Sequence, residues 1–114
     1  MEDTERQFLL TAAWMFMRHG RGDRASAVCE ALCEDDPRDG VAAAAYAELL
    51  LGGGDAGRAL ELLRSADFPP ELGHAQAVLE TRALRLLGRV PEARSRWNRY
   101  LESRKGADRK WIRR

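Results

Sequence analysis

Apolar residues recur along the chain at intervals of three and four positions, which is the spacing of a buried helix face. The first such stretch contains Phe8, Leu9, Ala12, Ala13 and Phe16. Because 3.6 residues make one helical turn, these side chains fall on one face of a helix. We therefore predict a first helix that begins at Thr4, which would form a capping box with Gln7, and that ends near Arg18.

Five further segments have the same spacing, and Gly or Pro residues separate them. The predicted helices cover residues 23–34, 40–51, 56–65, 71–87 and 91–104. Asp23 and Asp39 are placed as N-caps, because a short carboxylate side chain can accept hydrogen bonds from the free N–H groups of a first turn. The predicted packed faces of the second, fourth and sixth helices are Ala25, Val28, Cys29 and Leu32; Ala59, Leu60, Leu62 and Leu63; and Ala93, Trp97, Tyr100 and Leu101.

A glycine followed five residues later by an alanine occurs three times, at a constant spacing of 34 residues. The pairs are Gly20 with Ala25, Gly54 with Ala59, and Gly88 with Ala93. Glycine permits a sharp turn at positive φ, and alanine leaves room for a neighbouring helix to cross closely. A period of 34 residues is typical of tetratricopeptide (TPR) repeats. We predict an all-α fold of three TPR-like helical hairpins in a short right-handed superhelix.

The predicted repeats cover residues 4–37, 39–70 and 71–104 of a single domain, 1–104, and a basic C-terminal tail covers 105–114. In TPR-type stacking, the first helix of each repeat lines a concave groove. By that register, the predicted partner-binding groove is lined by Gln7, Leu10, Trp14, Met17, Val41, Ala44, Glu48, Leu51, Val78, Arg82 and Arg85. Its early part is apolar and its last part is basic, which suits an amphipathic helix or an extended peptide with acidic residues at one end.

Trp14 is the strongest single candidate in this groove, because aromatic residues are enriched at binding hot spots. The alternative is that some of these apolar residues fill the interior of a tightly curled solenoid.

The chain has 114 residues, of which 45% are hydrophobic and 32% charged, and a net charge of +1. This balance gives no general attraction to nucleic acid. The charge is uneven, however: residues 104–114 carry six Lys or Arg residues against Asp108, a net charge of +5. We interpret this basic tail as solvated. Contact with phosphates or anionic lipid is the alternative, because Trp111 and Ile112 lie among its cations.

No catalytic or metal-binding pattern emerges from the sequence. Cys29 and Cys33 lie one helical turn apart and lack the second pair of ligands that a structural zinc site needs. His19 and His74 fall near helix ends in different repeats, away from any triad pattern. Residues 52–54 are glycines without the Lys and Ser or Thr of a phosphate loop. We predict no enzyme activity, no cofactor and no metal.

The chain opens with charged residues and without a signal peptide, and its longest apolar run, residues 41–51, is too short to cross a bilayer. We therefore predict a cytoplasmic chain with no membrane span and with reduced cysteines.

Several short segments resemble the small TPR-like chaperones of bacterial type III secretion, specifically the SctY (YscY-like) family. They are Arg6-Gln7-Phe8-Leu9-Leu10 with Trp14; the turn from Gly20 to Ala25; Ala31-Leu32 leading to Pro37; Leu87-Gly88; Glu92-Ala93-Arg94; and Tyr100-Leu101-Glu102. The three alanines at 43–45 and the basic tail have no counterpart in this resemblance.

The resemblance implies a chaperone that binds a small secreted SctX-like protein, one to one, before export. The pair would dock on the cytosolic domain of the SctV-like export gate, so the protein would be cytoplasmic or peripheral at the inner-membrane export apparatus. The alternatives are a needle-subunit chaperone and a general TPR adaptor for protein–protein interaction. A third hypothesis, nucleic-acid binding, depends on the basic tail alone, and we expect no nucleic-acid partner.

Overall fold

The computed structural model describes the backbone of residues 1–112 and the side chains of residues 1–106. That part of the chain contains six α-helices and no β-strand. The helices are α1 (Asp3–Arg18), α2 (Gly22–Asp35), α3 (Gly40–Gly52), α4 (Ala56–Ser65), α5 (Gly73–Leu86) and α6 (Val90–Ile112). The predicted all-α class is confirmed. Its finer form, three TPR-like hairpins in a right-handed superhelix, remains a prediction.

The glycines of the 34-residue repeat end α1, α3 and α5 in the same way. Gly20, Gly54 and Gly88 have φ angles of 72°, 86° and 77°, a region that glycine enters without steric cost. The residue after each glycine donates its backbone N–H to the carbonyl five positions earlier: Arg21 to Phe16 at 2.8 Å, Asp55 to Leu50 at 2.8 Å and Arg89 to Leu84 at 2.9 Å. These bonds satisfy carbonyls that a helix end leaves free. The predicted glycine turns are therefore confirmed.

The alanines of the same repeat, Ala25, Ala59 and Ala93, are all buried. A methyl side chain at each position lets the preceding helix pack closely after the turn. The predicted role of these alanines agrees with their burial.

The apolar core has two parts of unequal size. The larger part joins α3 to α6 and consists of Ala47, Leu51, Ala56, Ala59, Leu60, Leu63, Leu79, Ala83, Leu84 and Ala93. The smaller part joins α1, α2 and α3 through Ala13, Cys29 and Tyr46. Ala13 is the one apolar side chain of α1 that is fully buried. The first helix is therefore attached to a much smaller core than the helices that follow.

The helices pack in chain order, each against the next, and α3 also packs against α5. The molecule measures 44 × 37 × 24 Å. Its shortest dimension corresponds to about two helix diameters of 10–12 Å each.

The helix starts agree with the sequence prediction at Asp39 and differ from it at Thr4 and Asp23. The Asp39 carboxylate accepts hydrogen bonds from the backbone N–H groups of Val41 at 3.0 Å and Ala42 at 3.2 Å. Thr4 is not a cap, because α1 begins one residue earlier at Asp3. Asp23 likewise lies inside α2, which begins at Gly22. An acidic residue within the first turn is still favoured there, because it faces the positive end of the helix dipole.

The start of α3 lies against the segment that follows α4. The Asp67 backbone N–H donates to the Arg38 carbonyl at 2.9 Å, and the two side chains form an ion pair at 2.8 Å. A Cβ atom at Gly40 would clash with the Asp67 carbonyl oxygen. Glycine is therefore required here by a close backbone approach.

The two ends of the chain differ from the prediction. Phe8 and Leu101 were expected on packed faces, but their side chains are 73% and 38% exposed, because no helix within the described residues covers those sides of α1 and α6. Helix α6 also continues to Ile112 instead of ending near Arg104, and α5 follows a 3-10 turn at Pro70–Leu72. Trp111 and Ile112, on which the alternative of phosphate or lipid contact depends, have side chains outside the described part of the structure.

Candidate functional site

One side of α1 carries four residues that the sequence assigned to the groove: Gln7, Leu10, Trp14 and Met17. They share this side because they are three and four positions apart. Trp14 is 59% exposed, Gln7 is exposed, and Leu10 and Met17 are half-buried. Aromatic side chains dominate interface energetics through the area that they can bury. The Trp14 indole is therefore free to contact another molecule.

The corresponding positions of α3 and α5 are also largely accessible. Val41 is 47% exposed, and Ala44 and Val78 are half-buried. Glu48, Arg82 and Arg85 are exposed. These helices thus add a second apolar position, Val41, and a charged region.

Leu51 corrects the prediction, because it does not lie on an accessible surface. Its side chain is only 5% exposed and belongs to the larger core with Leu60 and Leu84. The last turn of α3 lies against α4 and α5, which directs this position inward.

Glu48 and Arg82, which are 34 residues apart, form an ion pair between α3 and α5. The Arg82 Nη1 donates to both carboxylate oxygens of Glu48, at 3.0 and 3.1 Å. Both side chains are about half exposed, so the pair contributes at most about 1 kcal/mol to stability. The sequence suggested that Arg82 and Arg85 would bind acidic groups of a ligand. Arg82 is already paired, whereas Arg85 has no ion-pair partner within the described side chains.

A cleft of about 510 Å³ brings Met17 and Glu48 to one surface. It lies between the α1–α2 turn and the end of α3. Its lining also includes Gly22, Asp23, Ser26, Leu49, Gly52 and Gly53. The α1 backbone approaches α3 less closely than α5 does, which leaves this space open. The cleft therefore connects the α1 side of the predicted groove with the α3 side.

Arg6 is a buried cation whose role the sequence analysis missed. Its guanidinium donates to Asp35 at 2.6 Å, to Asp39 at 2.6 Å and to the Leu32 carbonyl at 3.2 Å. It thereby ties α1 to the end of α2 and to the start of α3. The run of acidic residues at 34–36 and 39 was a usable signal, because a buried arginine needs carboxylate partners. Arg6 fixes the position of α1 and hence of Trp14.

The hydrogen bond that Arg6 donates to Asp39 raises the pKa of Arg6, so its positive charge is maintained. Burial raises the pKa of Asp39, but the hydrogen bonds from Arg6 and from the Ala42 and Val41 N–H groups outweigh burial and hold that pKa below its usual value. Both groups are therefore charged at neutral pH.

The two cysteines are free thiols, with Cys29 buried and Cys33 half-buried. Burial raises the pKa of Cys29, and burial together with the neighbouring Cys29 raises the pKa of Cys33 to about 11. A protonated thiol is a poor nucleophile and a poor metal ligand. These residues act as small core side chains.

Among the described residues, no group of three or more His, Cys, Asp or Glu side chains is arranged to hold a metal ion. No helix in the described part of the chain is both long and apolar enough to cross a membrane. No protein-family model matches the chain, and no curated protein does either.

Proposed function

We propose that this protein binds an amphipathic helix or an extended peptide of another protein along the side of α1 that carries Trp14. The observation that carries this proposal is the exposure of Trp14, at 59%, beside half-buried Leu10 and Met17. In the free chain the indole and the neighbouring apolar groups leave apolar surface in contact with water. A partner that covers them would bury a large area, and ordering a rigid aromatic ring costs little entropy.

The charges favour a partner with apolar residues followed by an acidic one. Val41 adds an exposed apolar side chain on α3. Arg85 on α5 has no ion-pair partner within the described side chains and borders a cleft with Val90 and Trp97 of α6. A carboxylate on the partner would form a charge-assisted hydrogen bond with this arginine. An acidic group of the partner is disfavoured beside Arg82, because Glu48 already neutralises the charge of that arginine and would repel a second carboxylate. The expected order is therefore apolar anchors at α1 and an acidic end at α5.

The resemblance to SctY-type chaperones gives this binding a biological setting. In that setting, the partner is a small secreted SctX-like protein, bound one to one, and the pair is delivered to the SctV-like export gate in the cytoplasm. Binding would keep an aggregation-prone helix of the secreted protein covered before export. The fold would be the predicted TPR-like stack, whose first helices would line the groove.

The test is to co-express the chain with a candidate SctX-like protein, to measure the mass of the intact complex, and to compare two variants by titration calorimetry. Trp14→Ala should weaken binding at least tenfold and leave the helical circular dichroism unchanged, because the indole lies outside the core. The matched control is Phe8→Ala. It removes a more exposed aromatic ring from the same helix at a position about 120° away around the axis.

Equal affinities for wild type and Trp14→Ala would contradict the proposed binding side. Equal losses in both variants would also contradict it, because they would indicate a general effect of α1 apolarity. A general adaptor or a needle-subunit chaperone remains the alternative. Preference for a needle subunit over an SctX-like chain in the same titration would favour it.

A further inference from the structure

The two ends of the helical stack expose side chains whose counterparts inside the stack are buried or half-buried. On α1, Met15 is 54% exposed, whereas its counterparts Leu49 and Ala83 are half-buried and fully buried. Phe8 is 73% exposed, whereas its counterparts Ala42 and Gln76 are fully buried and half-buried. The α1 end surface, defined as Phe8, Thr11, Ala12 and Met15, therefore corresponds to the helix side that packs on a preceding helix.

The other end of the stack has the complementary property. On α6, Val90 is 50% exposed and Leu101 is 38% exposed, with Trp97 half-buried between them. Inside the stack, Ala56 and Leu63, the counterparts of Val90 and Trp97, are buried under α5. The α6 end surface, defined as Val90, Arg94, Trp97 and Leu101, therefore corresponds to the helix side that packs under a following helix.

The charges near these two surfaces are opposite. Glu2, Asp3 and Glu5 are exposed at the start of α1. Along α6, Arg94, Arg99, Arg104 and Lys105 are exposed together with the acids Glu92 and Glu102, so the exposed charge of this helix is net positive. Lys105 also pairs with Glu102 at 3.4 Å. At internal junctions a short turn joins two packed helices, so the start of each helix lies close to the end of the one before it, as at Asp35 and Gly40. The same arrangement at an end-to-end junction would set the acidic start of α1 beside the basic second half of α6.

We infer that copies of this chain associate head to tail, with the α1 end surface of one copy packed on the α6 end surface of the next. The occupant is a second copy for two reasons. The α1 end surface corresponds to a side that packs on a preceding helix, and the α6 end surface to a side that packs under a following helix. The charges near the two surfaces are also of opposite sign. Pairing α6 with α6, or α1 with α1, brings like charges together. Repeat proteins need polar end surfaces to stay separate, and both ends here expose large apolar side chains.

A head-to-tail contact leaves one free end of each kind, so association continues beyond a dimer unless it closes into a ring. Sedimentation velocity of the full chain from about 1 µM to about 1 mM, the range of weak protein contacts, should show species that grow with concentration. Raising the salt from about 0.1 to about 1 M should weaken the association, because it shortens the Debye length from about 10 to about 3 Å.

Two blocked variants test the geometry. Met15→Arg places a cation opposite Arg94 and blocks the α1 end surface, whereas Leu101→Glu places an acid opposite the acidic start of α1 and blocks the α6 end surface. Each variant alone should be monomeric, with its association constant reduced at least tenfold. A mixture of the two should form a one-to-one dimer and nothing larger, because one intact surface of each kind remains. Ala31→Glu, an exposed change on α2 away from both ends, is the control and should associate as wild type does.

A wild-type chain that stays monomeric over the whole range would overturn this inference. A dimer that neither substitution weakens, or that does not reappear on mixing, would overturn it as well. The inference does not depend on the proposed function. Met15→Arg leaves Trp14 and its side of α1 unchanged, so peptide binding and self-association can fail separately.

Discussion

Helices α1 and α5 hold the same place in the 34-residue repeat, yet they are attached to the molecule differently. Helix α5 has a neighbour on each side and buries Ala77, Leu79, Glu80, Ala83 and Leu84. Helix α1 has neighbours on one side and buries only Arg6 and Ala13. Two helices with the same spacing of apolar residues therefore bury different numbers of side chains. A helix at the end of a stack keeps apolar side chains available for another chain.

Each of the two helices also buries one charged residue, with different consequences. Glu80 of α5 accepts two hydrogen bonds from Arg96 of α6, at 3.0 and 3.1 Å, and lies 3.8 Å from Arg64 of α4. This link reinforces an apolar junction that already exists. Arg6 of α1 supports a junction in which Ala13 is the one fully buried apolar side chain of that helix. The first helix is therefore held by polar contacts to a greater degree than the fifth.

The largest expected effect compares Leu84 with its α1 counterpart, Phe16. Leu84→Ala should lower the free energy of unfolding by about 3 kcal/mol, because it empties a fully buried site. Phe16→Ala should cost about 1–2 kcal/mol, although its side chain is larger, because Phe16 is only half-buried. Urea denaturation at neutral pH measures both. Equal losses would mean that α1 is as tightly packed as α5.

A smaller effect is expected at Arg6. Arg6→Ala removes the partner of Asp35 and Asp39 and should cost about 2 kcal/mol; this is less than for a fully buried ion pair, because the Asp35 side chain is 32% exposed. The control is Arg18→Ala, an exposed cation at the end of the same helix, which should change stability by at most about 0.5 kcal/mol. If the two variants were equally stable in urea, Arg6 would not be the anchor of α1.

The smallest expected effect is on stability at low pH. Because the folded-state pKa of Asp39 lies below the value in the unfolded chain, which is about 3.9, its contribution to stability is complete above about pH 4. It is lost as the pH falls through the folded-state pKa. Asp39→Asn keeps a capping side chain but cannot titrate. Its urea midpoint should therefore fall less steeply than that of wild type below about pH 4. Parallel profiles would exclude Asp39 as a source of acid sensitivity.

Features set by local chemistry could be predicted from the sequence. The positive-φ glycines at 20, 54 and 88 follow from the turn geometry, and the Asp39 cap follows from its short carboxylate. The bounds of α4 agree residue for residue with the predicted 56–65. In each case a few neighbouring residues determine the conformation.

Features set by distant neighbours could not be predicted in the same way. Phe8 and Leu101 have helical spacing but no covering helix, and spacing alone cannot show that absence. Leu51 has the register of a groove residue, yet the close approach of α4 and α5 buries it. Arg82 was expected to be free for a ligand, but it forms an ion pair with Glu48, which lies at the equivalent position of the preceding repeat. Pairings between repeats decide these outcomes.

The most direct measurement is amide hydrogen exchange along the chain, alone and in an intact complex with an SctX-like partner. We predict that the amides of α1 exchange faster than those of α5 in the free chain, because α1 is held by fewer buried contacts. In the complex, the largest gain in protection should fall on α1 around Trp14. Equal protection of α1 and α5 in the free chain, or a gain in the complex that is confined to α4 and α6, would contradict the account.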